Sequence, residues 1–545
     1  MQVTWSSLFV LAMSAATATE PQSAMHDHAA MERLGSVTLQ TSCNKDAQSQ
    51  FNRAVALMHS FQFGSAIDGF RSVLAADPTC AMAYWGIALS SWGNPFAGFK
   101  SPTQLKDGRM AVEQGLALAP KTKREQQYID AVAALYVDHE HADHQQAEPP
   151  SPLLAYESAM SRLADAYPED TEARIFYALA LAAAADPEDK TYAKQLKAGA
   201  ILERLFAQFP NHPGLAHYII HAYDEPALAS RAAEAARRYG QIAPSTPHAL
   251  HMPSHTFTRI GDWQASIDTN LASASAARAA DQPADVLHAS DYLIYAYLQT
   301  GQDQAAKELL GTLAGVFAHF DPAHATGAAP ASAAYFAHAA MPARYALERR
   351  AWAEAAKLEI TTSRFPFADA ITYFARGLGA AHLKDDAAAH AAIISLDRIH
   401  DSLVKADEMS WAGQVDIQRR EIAAVLAYAT GHVPEALNGL RATADAEDKT
   451  QLASVTPGPL VPARETLGEF LLDAGRPAEA LREFEASLRQ EPNRFWSLDG
   501  AAEAAKASGN EPLARTYIQK LQTQCARADS AVRQQLDAAR KVVRP

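Results

Sequence analysis

A 34-residue period runs through this chain and limits it to one kind of architecture. Gly475 and Gly509 stand 34 residues apart, as do His217 and His251, and His221 and His255. Around Gly475, the residues Leu467, Gly468, Leu471, Ala480, Phe484 and Pro492 form the pattern of a helix hairpin. A small residue at Gly468 lets two helices touch, Gly475 ends the first helix, and Pro492 breaks the chain before the next unit. A unit this short cannot bury its apolar face alone, so copies must stack on one another. At 545 residues with 48% hydrophobic composition, the chain is long enough for such an array to enclose a continuous core.

The pattern recurs in degenerate form. Ala54, Leu57, Phe63, Ala66, Phe70 and Pro78 fall in register near the start, and "RIGDWQASIDTNLASA", "QTGQDQAAKELLGTL", "ERRAWAEAAKL" and "ATGHVPEALNGL" repeat it at periods of 34 to 44. This spacing resembles the tetratricopeptide repeat (TPR) superfamily. The resemblance implies an all-α fold, a right-handed TPR-like α-solenoid of about eight to ten helix pairs whose first helices line a concave groove. The whole chain also resembles a group of exported bacterial TPR proteins without a settled activity, through "LGSVTLQTSC", "CAMAYWGIALS", "HPGLAHYIIHAYDEP", "PHALHMPSHTFTRIGDW", "PARYALERRAW" and "PNRFWSL". One departure is Asn94-Pro95, where that group's pattern leads one to expect His-Pro.

Residues 1–18 read as a signal peptide: Leu8 to Met13 is apolar and Ala16-Thr17-Ala18 suits cleavage, although no Lys or Arg precedes them. Export predicts a periplasmic or secreted protein. Beyond an N-terminal segment (19–42), repeats are expected over 43–137, 153–319 and 333–545, interrupted by a polar loop at 138–152 and a connector at 320–332. No later apolar run has the length needed to span a bilayer. The net charge of −14 argues against nucleic acid and leaves a protein, a peptide or a small molecule as the groove's partner. Of three cysteines, Cys43 and Cys80 sit where a staple between neighbouring first helices is plausible in an oxidising compartment, and Cys525 is left over.

In TPR proteins the second, fifth, ninth, twelfth and thirteenth places of the first helix face the groove. With Gly261 as the helix-ending glycine, His248, His251 and His255 take the second, fifth and ninth places, and Thr258 and Arg259 the other two. One repeat earlier, His217 and His221 occupy the fifth and ninth and Asp224 the twelfth. One repeat later, counted from Gly301, His288, Asp291 and Tyr295 take the second, fifth and ninth. Histidine is 20 of 545 residues, so ten groove places in two repeats should hold fewer than one; they hold five.

Imidazoles four residues apart share a helix face, and adjacent helices are about 8–10 Å apart, so two helices can close on one ion. His217, His221, His248, His251 and His255 are therefore candidate metal ligands. The donor set suits a divalent transition metal such as Cu, Zn or Fe. Six histidines exceed one tetrahedral site: either two ions bind, or some imidazoles serve as acid–base or supporting groups. The competing readings are a groove that hydrogen-bonds a polar ligand and a buried polar network at a bend, since Pro253 predicts a kink. Two functions follow. One is a solenoid that binds a partner or small ligand beside a histidine-held metal, with Thr258, Arg259, Arg344 and Glu348 available to the ligand. The other is a metal-dependent enzyme in which Asp224, His288, Asp291 or Tyr295 handles protons.

Weaker candidates are His26 and His28 beyond the leader and His139, His141 and His144 in the polar loop. Met82, Trp85, Leu89 and Trp92 read as core ahead of an apolar pocket. Glu465, Glu469, Asp499 and Glu503 read as solvated carboxylates or a strip for a basic peptide. No phosphate loop, nucleophile elbow or H-E-x-x-H is present, because Tyr218 stands where the last motif needs glutamate.

Overall fold

Five glycines, Gly261, Gly301, Gly431, Gly475 and Gly509, have φ between 67° and 90°, a left-handed backbone that favours glycine because it has no Cβ. Each stands between two helices of one hairpin. The pairs are Pro253–Arg259 with Trp263–Ala279, Pro283–Gln299 with Asp303–Ala318, Met409–Ala429 with Val433–Glu447, Ala463–Asp473 with Pro477–Gln490, and Phe495–Ala507 with Glu511–Gln524. The sequence pattern thus marks the hairpin turns by their backbone requirement. Within one hairpin, a Cβ added at Gly468 would lie 2.9 Å from the Phe484 ring, which is why only a small residue lets these two helices close.

The computed structural model describes residues 32–97, 100–137, 151–322, 327–450 and 455–532. The leader, His26 and His28, and His139, His141 and His144 lie outside them. Among the described residues the protein is all-α, an α-solenoid of stacked helix pairs with no strand. No described helix is long and apolar enough to cross a membrane. Cys43 and Cys80 form a disulfide with Cα atoms 4.9 Å apart, joining the chain just before helix Lys45–His59 to the start of Ala81–Trp92. Cys525 is buried and free. Met82, Trp85 and Trp92 are buried with the core, as expected of an apolar helix face.

Instead of leaving a groove open along its length, the array coils back on itself. Trp263 Nε1 donates to Asn493 O at 2.9 Å, Asp529 N donates to Gly301 O at 2.9 Å, and Phe495 N donates to Gln299 Oε1 at 2.8 Å. These contacts seat the last repeats on the hairpin turns of the central ones. At the other end Gln282 Nε2 donates to Gln62 Oε1 at 2.9 Å, holding the first repeat against the same central helices. The inner face of the central repeats is enclosed as a result, and this decides the surroundings of the histidines.

Candidate metal centre

Helix Pro213–Ala222 carries His217 and His221, helix Pro247–His251 carries His248 and His251, helix Pro253–Arg259 carries His255, and helix Pro283–Gln299 carries His288. At the place of the expected kink the helix is interrupted, Pro253 beginning a new helix after Met252: proline has no N–H for the ladder and its ring obstructs the preceding turn. All six imidazoles meet on one interior strip, none more than 9% exposed. They fall into two groups, His217, His221 and His248, and His251, His255 and His288, each offering three nitrogen atoms within 4.8 Å of one another. His288, expected to handle protons, stands with His251 and His255 as a third nitrogen donor.

Hydrogen bonds to the far side of the His217, His251 and His255 rings fix where their lone pairs point. His251 Nδ1 meets Asn270 Oδ1 at 2.7 Å, and the amide is oriented by its own Nδ2, which donates to Ser266 O at 2.8 Å. His255 Nδ1 meets Asp224 Oδ2 at 2.8 Å. Both Nδ1 atoms face acceptors and carry the protons, which leaves both Nε2 atoms with bare lone pairs. Those two Nε2 atoms face each other at 3.1 Å. Neutral lone pairs repel at that distance, whereas two nitrogens on one ion at about 2.0–2.1 Å are separated by roughly 2.9–3.4 Å. The Tyr292 hydroxyl is 3.3 Å from His255 Nε2 but 3.4 Å from Nδ1; a position almost equidistant from both nitrogens lies off either lone-pair axis. His288 Nδ1 is buried without a partner.

In the other group, His217 Nδ1 donates to the His59 carbonyl at 2.6 Å, so its Nε2 carries no proton and can only accept, and His248 Nε2 stands 3.0 Å from it. His221 Nε2 is buried without a partner, its ring stacked on Phe96 at 4.2 Å. Burial lowers the pKa of His217 and of His288 to about 3, and holds His221, His248 and His251 well below the ordinary imidazole value. Neutral imidazole is the form that binds metal. Asp224 stays ionised: burial alone would raise its pKa, but His255 and Arg259 outweigh that.

A third group that sequence reasoning missed, His59, Glu172 and His212, is equally close together but internally satisfied. His59 Nε2 and His212 Nε2 each meet one Glu172 oxygen at 2.9 Å. The Tyr218 hydroxyl lies 3.0 Å from His59 Nδ1, and Leu215 N donates to His212 Nδ1 at 3.4 Å. Burial would raise the Glu172 pKa, but the two imidazoles bring it down to about 2. Nothing there lacks a partner; its contribution is to position the His59 carbonyl under His217. These three residues lie outside the 34-residue echo, and no local pattern in the sequence marks them.

Several residues expected to meet a ligand are engaged within the fold. Thr258 Oγ1 bonds Ser266 Oγ at 2.9 Å. Arg259 donates to Asp224 Oδ1 at 3.2 Å and to Pro457 O at 3.3 Å. Arg344, fully buried, donates to Asp291 Oδ1 at 2.9 Å, Thr456 Oγ1 at 3.0 Å, Gly458 O at 2.7 Å and Pro459 O at 3.1 Å. Glu348 pairs with Arg494 at 2.8 Å, and Tyr295 lies between Glu491 and Arg494 rather than beside the histidines. The chain over 456–459 therefore fills the groove, and Asp291 is an arginine's counter-ion. Of the C-terminal acids, Glu465 is paired with Arg494, Glu469 with Arg350, and burial pushes Glu469 up to about 7 and Asp499 up to about 6. A cleft of about 790 Å³ remains open between the first repeats and the 364–411 region; Trp92, Phe96, Lys100, Phe365 and Trp411 line it, and His221 and Asp224 reach it.

No family model and no curated protein matches this sequence. Among solved structures, similar ones include the APC/C hetero-tetramer Cut9-Hcn1, at 11% identity and TM-score 0.35 over 92% of this chain and 77% of that one. Others are Naa15/Naa10 bound to HypK-THB, at 12% and 0.24 over 91% and 74%, and the P58(IPK) TPR domain, at 14% and 0.21 over 91% and 98%. At these scores the likenesses assign neither family nor activity to this chain.

Proposed function

We propose that this protein is a metal-binding solenoid, with a divalent transition metal held by His251, His255 and His288 and a small ligand admitted through the cleft at His221 and Asp224. The observation that carries the reading is the pair of Nε2 atoms at 3.1 Å, both turned inward by acceptors on their Nδ1 atoms. Asn270 and Asp224 supply the outer hydrogen bonds that ligating histidines characteristically make. A small ligand is favoured over a peptide because the chain at 456–459 occupies the groove where a peptide helix would lie. The Cys43–Cys80 bond supports an oxidising compartment, and with it export.

A second reading, a metal-dependent enzyme, draws on Asp224, which touches both His255 and the cleft and would orient a ligand imidazole beside an open coordination position. Metal analysis after incubation with copper, zinc and iron, on the wild type and on His251→Ala and His255→Ala, tests the proposal. Stoichiometric metal in the wild type and its loss in both variants, with helical circular dichroism retained, is the expected result. A wild-type protein that retains no metal refutes it. A spectral change on adding azide to the loaded protein would favour the enzyme, and a closed site would favour binding alone.

A further inference from the structure

The histidines left over from that site are arranged as a second one. His217 Nε2 carries no proton because its Nδ1 proton goes to the His59 carbonyl, His248 Nε2 faces it at 3.0 Å, and His221 Nε2 is buried with no partner. The His59, Glu172 and His212 group supplies an internal comparison. There every Nε2 meets a carboxylate oxygen, and a buried set of donors and acceptors is complete without a cation. In the His217 group the His221 Nε2 remains an orphaned buried nitrogen, and the His217 Nε2 lone pair meets only the His248 ring, a condition that a cation shared by all three rings relieves.

The two histidine triads also adjoin. The rings of His221 and His255 are 6.3 Å apart between centroids, and those of His248 and His251 are 6.2 Å apart. Neighbouring residues on one short helix are thus divided between the triads: His248 turns toward His217, and His251 toward His255 and His288. No carboxylate belongs to either triad, since Asp224 is engaged by His255 and Arg259. Three imidazoles per ion leave coordination positions open, and all-nitrogen donor sets of this kind select copper most strongly among the first-row divalent ions.

We propose that the strip is a dinuclear centre: a second ion held by His217, His221 and His248 stands beside the first, and the pair shares a small bridging anion that enters through the cleft at His221. The proposal rests on the metal reading of the His251 triad. It goes further in fixing the stoichiometry, the ligand division and the chemical class of the exogenous ligand.

Cu(II) titration of the full chain in a glycine buffer, which strips loosely held copper, tests it together with electron paramagnetic resonance. The expected result is two equivalents of tightly bound copper per chain, with most of the two-spin signal lost through coupling and a new absorption band when azide is added. His221→Ala should bind one equivalent and regain the full signal of an isolated ion, and His288→Ala should do the same from the other side. If either variant fails to fold, the wild-type stoichiometry and spin count decide alone. One equivalent in the wild type, or two that give full uncoupled intensity, overturns the dinuclear proposal and leaves the single-site reading standing. Zero equivalents overturns both.

Discussion

Arg344→Met tests whether the enclosure of the histidine strip depends on one buried cation. Arg344 and Asp291 are fully buried 2.9 Å apart, and three further bonds tie Arg344 to the 456–459 segment. Met retains most of the side-chain volume but leaves Asp291 an unpaired buried carboxylate, with one oxygen already lacking a partner. Breaking a buried pair from one side costs about 3–5 kcal/mol, whereas replacing both partners by apolar groups is often neutral. Denaturant unfolding should therefore show a loss of that order for Arg344→Met and recovery of most of it in Arg344→Met with Asp291→Leu. The pH dependence follows from the same carboxyl. Burial raises the Asp291 pKa, and Arg344 opposes the rise; without the arginine it must rise further. A carboxyl whose folded pKa lies above its unfolded value binds its proton more tightly when folded, so its effect on stability worsens as pH rises. The deficit of Arg344→Met should accordingly deepen from about pH 4 toward neutrality, by at most about 1.4 kcal/mol per pH unit. Hydrogen exchange should quicken over 455–461. A loss under about 1 kcal/mol, or a double variant no better than the single one, would refute the reasoning.

Further outcomes can be checked separately. Metal at a hundredfold excess over its dissociation constant should stabilise the wild type by about 2.7 kcal/mol, and thermal melts of His255→Ala should show no such gain. Asp224→Asn removes the carboxylate behind His255 and should weaken metal binding by about 10–100-fold, measured by competition with a chelator. Burial pushes Asp285 up to about 7, so its contribution to stability falls as pH rises from about 4 to 7, by roughly 4 kcal/mol in all; Asp285→Asn should flatten that part of the stability profile in urea melts. Gly261→Ala and Gly475→Ala form a controlled pair. Both glycines have φ near 70° and should each cost about 1–2 kcal/mol on that account, but a Cβ at 261 would also meet Pro492 O at 2.3 Å while 475 is open. Melts should show Gly261→Ala as the more damaging.

The sequence by itself determined the hairpins, their turns and the convergence of the histidines. Gly261, Gly301 and Gly475 stand at left-handed turns that few other residues tolerate, and the 34-residue echo put His217 and His221 on the same inner strip as His251 and His255. These are consequences of local backbone geometry and of a repeat that puts equivalent residues on adjacent helices, so they are legible without knowing the rest of the fold. Only the tertiary structure decided what surrounds that strip. Arg344, Arg259 and Tyr292 meet the chain at 456–459 across 112 to 198 positions, and Gly261 meets Asn493 across 232. No periodicity encodes such pairings. The division of the imidazoles into two triads, and the tautomers of His217, His251 and His255, were likewise settled by the His59 carbonyl, Asn270 and Asp224 behind the rings. A repeat specifies which side chains line the inner face, whereas the lone-pair directions on that face depend on single hydrogen bonds that form only when the array has closed.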